Sequence, residues 1–217
     1  DNFRIVHLSD IHLSWSDSKK IFENLIRRSL KQKPDVIVIT GDLFDIPAKF
    51  GEDVLEFTKK SKVPILYVYG NHDYMIKRDK LNACIYNSGV KLLSNSSFNF
   101  KGVQFTGIDD SHDRKQVAKV LPGIKRDTKR FQVLLYHKPL GAKDAQKNGV
   151  DLMLCGHTHN GQIFPFNMIL KFMYRYIYGF YNVGNMFLYV SPGTRAPRTL
   201  MRLGTFNEIV VIDVTKT

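Results

Sequence analysis

The residues best suited to chemistry are aspartates, histidines and an asparagine that follow apolar segments. The stretch Gly156-His-Thr-His-Asn-Gly-Gln162 comes directly after the apolar run 151–155 and carries two imidazoles. In an extended segment residues i and i+2 point to the same side, so we expect His157 and His159 to project together. Neutral imidazoles side by side suit a transition metal. A lone His-x-His is weak evidence, because hydrogen-bonded histidines are common on strands.

Four more clusters of these residue types occur upstream. Each follows an apolar segment that has the pattern of a strand, such as 36–40, a β-branched run typical of a strand covered on both faces. The clusters are Asp10 with His12, Asp42, Asn71 with His72, and His137. In open α/β sheets ligands bind outside the carboxyl ends of the strands, so we expect all five clusters to converge on one metal site.

The segments between these strands have helical spacing. Apolar residues recur at helical intervals over 16–31 with lysines and arginines between them, which predicts an amphipathic helix packed on a sheet. No internal repeat or proline-rich linker divides the 217 residues. We therefore expect a single α/β domain over 1–217 with one substantial core.

The order of the motifs is similar to that of a known family. Asp-x-His, Gly-Asp, Gly-Asn-His-Asp, a lone His and Gly-His-x-His follow one another from Asp10 to His159, and together they resemble the calcineurin-like metallophosphoesterases. The longer forms at 41–45 and 156–162 look most like the small bacterial phosphodiesterases of that superfamily, a branch that is often membrane-associated. The resemblance implies a four-layer αββα sandwich of two mixed β-sheets flanked by helices, with a dinuclear metal site at the carboxyl ends of the strands.

The resemblance also implies a role for each motif residue. One metal ion would be held by Asp10, His12, Asp42 and His159, and a second by Asn71, His137 and His157, with Asp42 bridging the two. Oxygen and imidazole ligands without thiolates suit two divalent ions such as manganese, iron or zinc, and manganese is the preferred choice. A metal-bridging hydroxide would then be the nucleophile. His72 would serve the leaving oxygen as a proton donor, and Asp73 would orient it.

Other polar residues near these motifs have simpler interpretations. His7 lies inside the first predicted strand and is interpreted as a hydrogen-bonded core histidine. Asp45 either supports a metal ligand or caps the following turn. Asp109, Asp110 and His112 either line the pocket or form a solvated turn, and we leave them outside the catalytic set.

Composition indicates which partners the chain can have. Lys and Arg number 32 against 20 Asp and Glu, and the net charge of +12 favours phosphate esters, nucleic acid or an acidic membrane surface. The two cysteines, Cys84 and Cys155, are interpreted as buried free thiols. No apolar run approaches the roughly 20 residues that span a bilayer. The sequence begins at Asp1 without methionine, so any signal peptide or membrane anchor would lie in a preceding segment. From the resemblance to a branch that is often membrane-associated, we expect a membrane location that is either peripheral or provided by such an anchor.

The aromatic segment, residues 163–190, differs from the rest of the chain in its many Phe and Tyr residues. If 168–180 is helical, one apolar face lies apart from Lys171 and Arg175. That face either contacts an anionic membrane surface or packs on the domain core or a partner subunit. Together with the loop that follows, it makes 163–204 a candidate substrate-facing or membrane-facing part of the domain.

A Gly/Pro-rich loop after the aromatic segment carries three arginines, Arg195, Arg198 and Arg202. Guanidinium groups make bidentate contacts with phosphate, so these residues are candidates to bind the substrate, with Arg202 preferred. The alternative is an ordinary basic loop.

These observations favour an enzyme that hydrolyses phosphodiester or pyrophosphate bonds of a lipid-linked or membrane-proximal substrate. The resemblance suggests a nucleotide-linked glycolipid, such as the UDP-diacylglucosamine cleaved by related enzymes of lipid A synthesis. A nuclease or cyclic-nucleotide phosphodiesterase is the alternative within the same chemistry, although no stable nucleic-acid partner is expected. A metal-free scaffold that binds partner proteins through its aromatic surface is the alternative of a different class.

Overall fold

Strands at the centre and helices at the periphery make up the molecule. The computed structural model describes residues 2–195 and 201–215. The strands are β1 Phe3–Leu8, β2 Val36–Thr40, β3 Ile65–Val68, β4 Val90–Leu92, β5 Ser96–Phe100, β6 Val103–Ile108, β7 Phe131–Tyr136, β8 Leu152–Cys155, β9 Gly179–Val183, β10 Met186–Val190 and β11 Val210–Val214. The helices are α1 Ser18–Leu30, α2 Arg78–Tyr86, α3 Gln116–Val120, α4 Ala142–Lys147 and α5 Phe166–Met173.

The strands form two mixed sheets, as predicted. The first has the order β11-β1-β2-β3-β4, in which only β11 is antiparallel to its neighbour. The second has the order β5-β6-β7-β8-β10-β9, with antiparallel pairs at both edges and parallel pairs between them. The strands that precede the predicted metal ligands are all in the parallel parts of the sheets, so their carboxyl ends lie at the same edge.

Side chains alternate across β2 and show how the layers are filled. Ile37 and Ile39 belong to the apolar cluster that contains the buried face of α1. Val36 and Val38 belong to a second cluster, which they share with residues of β6, β7 and β8 between the two sheets. A third cluster covers the other face of the second sheet with α3 and α4. Because successive side chains of a strand point to opposite faces, this continuous β-branched run fills two layers at once.

Helix α1 confirms the amphipathic pattern, whereas the helix considered over 168–180 is found only as far as Met173. Helix α5 ends at Met173, and Tyr174 has an extended backbone. The chain then enters β9, which pairs with β10 as an antiparallel hairpin. Aromatic residues pack well on a pleated surface, so the pairing with β10 overrides the helical spacing of this short stretch.

Both cysteines are free and buried, as the sequence indicated. Among the described residues, no helix has the length and apolar character needed to cross a bilayer.

Candidate metal centre

The five predicted clusters meet at the carboxyl ends of β1, β2, β3, β7 and β8. The two sheets are joined directly there, because His137 after β7 places Nε2 3.2 Å from the Oδ2 atom of Asp42 after β2. Likewise, His159 places Nε2 3.2 Å from the Oδ1 atom of Asp10 after β1. Residues far apart in the sequence therefore lie within metal-ligating distance of one another.

One group of side chains contains Asp10, His12 and His159, whose ligating atoms lie within 4.8 Å of one another. The Nε2 atoms of His12 and His159 face each other at 3.3 Å. Asp10 is completely buried and His12 is 3% exposed. The Oδ2 atom of Asp42 lies 3.9 Å from the Nε2 atom of His12, at the border of this group.

A second group shares Asp10 with the first and also approaches it through Asp42. It contains Asp42, His137 and Asp10 at ligating distance, and the Nδ1 atom of His157 lies 3.2 Å from the Nε2 atom of His137. Asp42 thus contacts members of both groups, which is the position expected of a bridging carboxylate. The division of the ligands that the resemblance implies is compatible with this geometry and remains a prediction.

The chemistry of these atoms fits divalent metal ions. In each group two imidazole nitrogens face each other beside a carboxylate, and such an arrangement needs a shared proton or cation between them. The Oδ1 atom of Asn71 is buried and finds no hydrogen-bond partner among residues 2–195 and 201–215. A buried acceptor of this kind is costly unless something coordinates it. Carboxylate, amide oxygen and imidazole together suit a hard or borderline ion.

Backbone conformation, rather than an extended strand, directs these side chains inward. Strand β8 ends at Cys155, and His157 and His159 have φ angles of 72° and 50°. The expected extended His-x-His is therefore wrong. Asp10, His12 and Asp42 are also left-handed, with φ between 49° and 53°. Left-handed backbone costs free energy for residues other than glycine and concentrates at functional sites.

Two glycines allow the loops to approach the carboxylates. A Cβ atom at Gly156 would collide with the Asp10 carboxylate and with the Ser9 hydroxyl, and one at Gly70 would collide with Asp42. The motif glycines are therefore needed for close approach of the backbone to the ligands.

Hydrogen bonds from the first two strands orient the buried ligands. The Thr40 carbonyl accepts from Nδ1 of His137 at 2.8 Å and leaves Nε2 to face Asp42. The Ser9 hydroxyl donates to Asp10 at 2.6 Å and in turn lies 2.9 Å from the Thr40 hydroxyl. His7 is a buried core histidine as interpreted, with Nε2 2.7 Å from that same hydroxyl.

His72 lies at the edge of the cluster, but its partner is Asp45 rather than Asp73. The Nδ1 atom of His72 lies 3.0 Å from Asp45, which also accepts from the backbone N–H of Ile46 at 2.8 Å. Asp45 also lies 3.3 Å from Nδ1 of the predicted ligand His12, so it both supports a predicted ligand and binds the backbone of the following turn. The expected orienting role of Asp73 is wrong, because its buried carboxylate accepts from the backbone N–H groups of Phe44 and Gly70 at 2.8 and 2.7 Å. Asp73 joins two motif loops instead.

Burial and neighbouring charges set the protonation of the cluster. Burial lowers the pKa of His157 to about 3, so its imidazole is neutral at pH 7, the form that binds metals. Burial also opposes charge on His137, but the Asp42 carboxylate outweighs this effect and raises the pKa of His137 to about 10. Metal ligation requires a neutral imidazole, so an ion at this position displaces that proton.

The arginine loop is described only in part. The Nη2 atom of Arg202 lies 3.4 Å from Nδ1 of His159 and donates to the Arg195 carbonyl at 2.8 Å. The Nε atom of Arg202 is buried and finds no acceptor in the part of the chain that the structure describes. Arg195 contributes its carbonyl to this contact, and Arg198 lies outside the described residues.

The acidic residues after β6 lie apart from the ligand groups. Asp109 accepts from Ser94 at 2.5 Å, and Asp110 pairs with the buried Lys138 ammonium at 2.7 Å. His112 is exposed. These contacts support the decision to leave all three outside the catalytic set.

A groove and an apolar surface adjoin the first ligand group. The groove, about 420 Å³ in volume, runs between the His159 turn and α5 and is lined mostly by apolar atoms. Helix α5 exposes its apolar side chains to solvent, and Phe172 is 92% exposed. The backbone N–H of Phe164 donates to the Leu203 carbonyl at 2.9 Å, so the exposed residues around 201–206 continue the surface of α5. The alternative in which this face packs on the domain core is therefore wrong for 168–173, whereas Ile177 is buried and Tyr176 packs against the core.

Comparison with known proteins yields a consistent set of matches. The sequence family described as calcineurin-like phosphoesterase matches residues 3–161. A Campylobacter jejuni protein named as an uncharacterized metallophosphoesterase is 32% identical over 98% of this chain and 59% of its own length. The Bacillus subtilis metallophosphoesterase YkuE is 30% identical over the whole chain and 80% of its own length. A Bos taurus protein named as a transmembrane protein with a metallophosphoesterase domain is 32% identical over 96% of this chain and 52% of its own length.

Solved structures share the fold at low sequence identity. The NAD nucleotidase of Haemophilus influenzae has a TM-score of 0.53 at 14% identity, covering 89% of this chain and 46% of that one. GAP50, the anchor in the inner membrane complex of Plasmodium, has a TM-score of 0.54 at 14% identity, covering 98% of this chain and 81% of that one. The chain spans about half the length of several curated relatives that it matches.

Proposed function

Because the chain belongs to the calcineurin-like phosphoesterase family, we propose that it hydrolyses phosphodiester or pyrophosphate bonds of a lipid-linked substrate at a membrane surface. The observation that carries the lipid part of this proposal is the apolar groove next to His159. A substrate whose phosphate lies at the ligand groups can place an adjoining apolar part between His159 and α5.

The ligand set supports the reaction class. Asp10, His12, Asp42 and His159 would hold one divalent ion, and Asn71, His137 and His157 would hold the other with Asp42. Bound divalent ions, with manganese the preferred choice, neutralise charge on the phosphoryl group and lower the pKa of water toward neutrality. The pairing of buried oxygen and imidazole ligands supports two such ions rather than a nucleophilic side chain.

His72 is the proposed proton donor of the reaction, and its contacts support this role. Asp45 holds its Nδ1 atom, so Nε2 is turned toward the ligand groups, 4.0 Å from Oδ2 of Asp42. The side chain is partly exposed, in contrast to the buried Asp42. His72 can therefore exchange its proton with solvent and pass it to the leaving oxygen.

Arg202 is the proposed ligand of the substrate phosphate. A guanidinium only donates hydrogen bonds, so its contact with Nδ1 of His159 requires an Nδ1 atom without a proton. Ligation of an ion by Nε2 of His159 would leave the proton on Nδ1 and remove this contact. Arg202 would keep its bond to the Arg195 carbonyl, and its remaining N–H groups would make charge-assisted hydrogen bonds to a phosphate beside the cluster.

The exposed surface of α5 supports a membrane location. Its apolar side chains at 168–173 lie beside the exposed cations Lys171 and Arg175, and the chain carries a net charge of +12. An apolar face with a basic border binds anionic lipid surfaces. Two curated relatives are named as transmembrane proteins with a metallophosphoesterase domain, from Bos taurus and Danio rerio, which is compatible with this location.

Hydrolysis assays with and without lipid test the proposal. The manganese-loaded protein is given a soluble aryl phosphodiester and a nucleotide diphosphate linked to an acylated sugar, each with and without vesicles containing phosphatidylglycerol. We expect hydrolysis of both, faster hydrolysis of the lipid-linked substrate, and vesicle binding. Cleavage of the soluble diester without vesicle binding or activity on lipid-linked phosphates would refute the lipid proposal alone. No hydrolysis with manganese, iron or zinc would refute the reaction class.

A further inference from the structure

Tyr174 contacts the metal-ligand cluster from the aromatic segment, and no sequence pattern indicates this contact. Its hydroxyl lies 2.8 Å from the Nε2 atom of His157. The two rings meet edge to face with centroids 5.5 Å apart. Tyr174 is the first residue after α5, and its extended backbone turns the side chain back toward the His157 loop.

The other nitrogen of His157 faces the second ligand group. Its Nδ1 atom lies 3.2 Å from Nε2 of His137. An imidazole that presents Nδ1 to a cation carries its proton on Nε2, which then needs an acceptor. The Tyr174 hydroxyl is the acceptor found at hydrogen-bonding distance. Partners of this kind fix the tautomer and ring orientation of ligating histidines.

We propose that Tyr174 is a positioning residue for His157, which it holds with Nδ1 directed at the second ion. The inference rests on the proposed function, because it requires that His157 bind a metal. Through this contact, α5 is tied to the metal centre as well as to the substrate groove.

A second contact ties the same segment to the His157 loop. The Thr158 hydroxyl donates to the Ile177 carbonyl, and Thr158 is buried. The chain from Tyr174 to Ile177 therefore runs along the loop and contacts two consecutive residues of it. This second contact keeps the segment in place when the tyrosine hydroxyl alone is removed, so Tyr174→Phe isolates the effect of one oxygen atom.

Manganese titration of Tyr174→Phe tests the proposal, with free manganese followed by electron paramagnetic resonance. We expect the affinity of one of the two sites to fall about 10- to 100-fold while the other site is unchanged. Tyr176→Phe is the matched control, because Tyr176 lies in the same segment and contacts Tyr181 edge to face, with ring centroids 4.9 Å apart. Wild-type affinity at both sites in Tyr174→Phe overturns the proposal.

A measurement on the wild-type protein covers the case in which the variant does not fold. In the zinc-loaded wild-type protein with 15N-labelled histidine, the resonance of His157 is assigned as the one missing from the spectrum of His157→Gln. The Nε2 atom of His157 should carry a proton that exchanges slowly with water. An Nε2 atom without a proton overturns the role of Tyr174. Failure of the wild-type protein to bind manganese or zinc at all refutes the proposed function instead, so the two failures are distinguishable.

Discussion

The metal-ligand cluster and the aromatic surface of α5 are neighbours that differ in their exposure to solvent. Asp10 and His137 are completely buried, whereas Phe172 is 92% exposed. The cluster is held by the ends of five strands, while α5 attaches mainly to the short turn His159–Gly161. In the proposed function, the cluster carries the reaction and α5 selects where and on what it acts. Changes to the cluster should affect every substrate, and changes to α5 should affect lipid-linked substrates alone.

The largest effect is expected for Asp42→Asn. Asp42 contacts both ligand groups, and the amide nitrogen or oxygen cannot replace a shared carboxylate. We expect hydrolysis of soluble and lipid-linked substrates to fall to the level without metal, and manganese affinity to fall at least about 100-fold. Asp113→Asn, which removes an exposed partner of Lys119, is the control. Retained activity on either substrate would contradict the role of the cluster.

His72→Ala should have a smaller effect that is also independent of the substrate. Loss of a general acid lowers turnover by about 100-fold or more. Because His72 is not one of the predicted ligands, metal content measured by elemental analysis should stay at the wild-type level. His112→Ala, which removes an exposed histidine, serves as the control. Metal loss in His72→Ala would mean that His72 is itself a ligand.

Phe172→Ser should affect membrane binding by α5 without affecting the reaction at the metal-ligand cluster. Transfer of a Phe side chain from water to an apolar phase is worth about 1.5–3 kcal/mol, so partition to anionic vesicles should weaken about 10-fold or more. Turnover of a soluble diester should not change. Tyr86→Ser removes a side chain that is 89% exposed on α2 and should leave vesicle binding intact. Equal losses in Phe172→Ser and Tyr86→Ser would show that α5 has no special contact with lipid.

The smallest effect is expected for the cysteines. Burial raises the pKa of Cys84 to about 11, and burial also raises the pKa of Cys155, which lies two residues before His157. Both cysteines are therefore protonated thiols at pH 8, and a thiol reagent should react slowly with the folded protein. After unfolding in guanidinium chloride, two thiols per chain should react. Fast reaction of Cys155 in the folded protein would show that the cluster opens readily.

The fold was largely predictable because its signals are local or periodic. The β-branched run of β2 predicts a strand, and the apolar spacing of α1 predicts a helix. The polar residues after the strands lie close together because the strands that precede them are parallel. The helical spacing over 168–180 fails after Met173, where the chain leads into β9 and its hairpin with β10. The two strands are joined by residues 184 and 185 alone, and apolar spacing within 168–180 does not report a partner strand that follows it.

The composition of the candidate site was predictable, but its supporting contacts were not. Residue types after strands identified the five clusters, and the resemblance to the family implied which seven of their residues are the proposed ligands. The partner of His72 could not be read from adjacency, because Asp45 reaches it from another loop while the neighbouring Asp73 turns to the backbone. The left-handed backbone at Asp10 and His159 and the approach of Tyr174 to His157 also depend on tertiary packing.

Metal content compared with hydrolysis tests the central claim most directly. The protein is stripped with a chelator, reconstituted with manganese, dialysed and examined by elemental analysis while hydrolysis of a soluble diester is measured on the same samples. We predict two manganese ions per chain, and hydrolysis that is absent in the stripped protein and returns with the metal. Full hydrolysis by the stripped protein, or a reconstituted protein without bound metal, would contradict the assignment of the buried cluster.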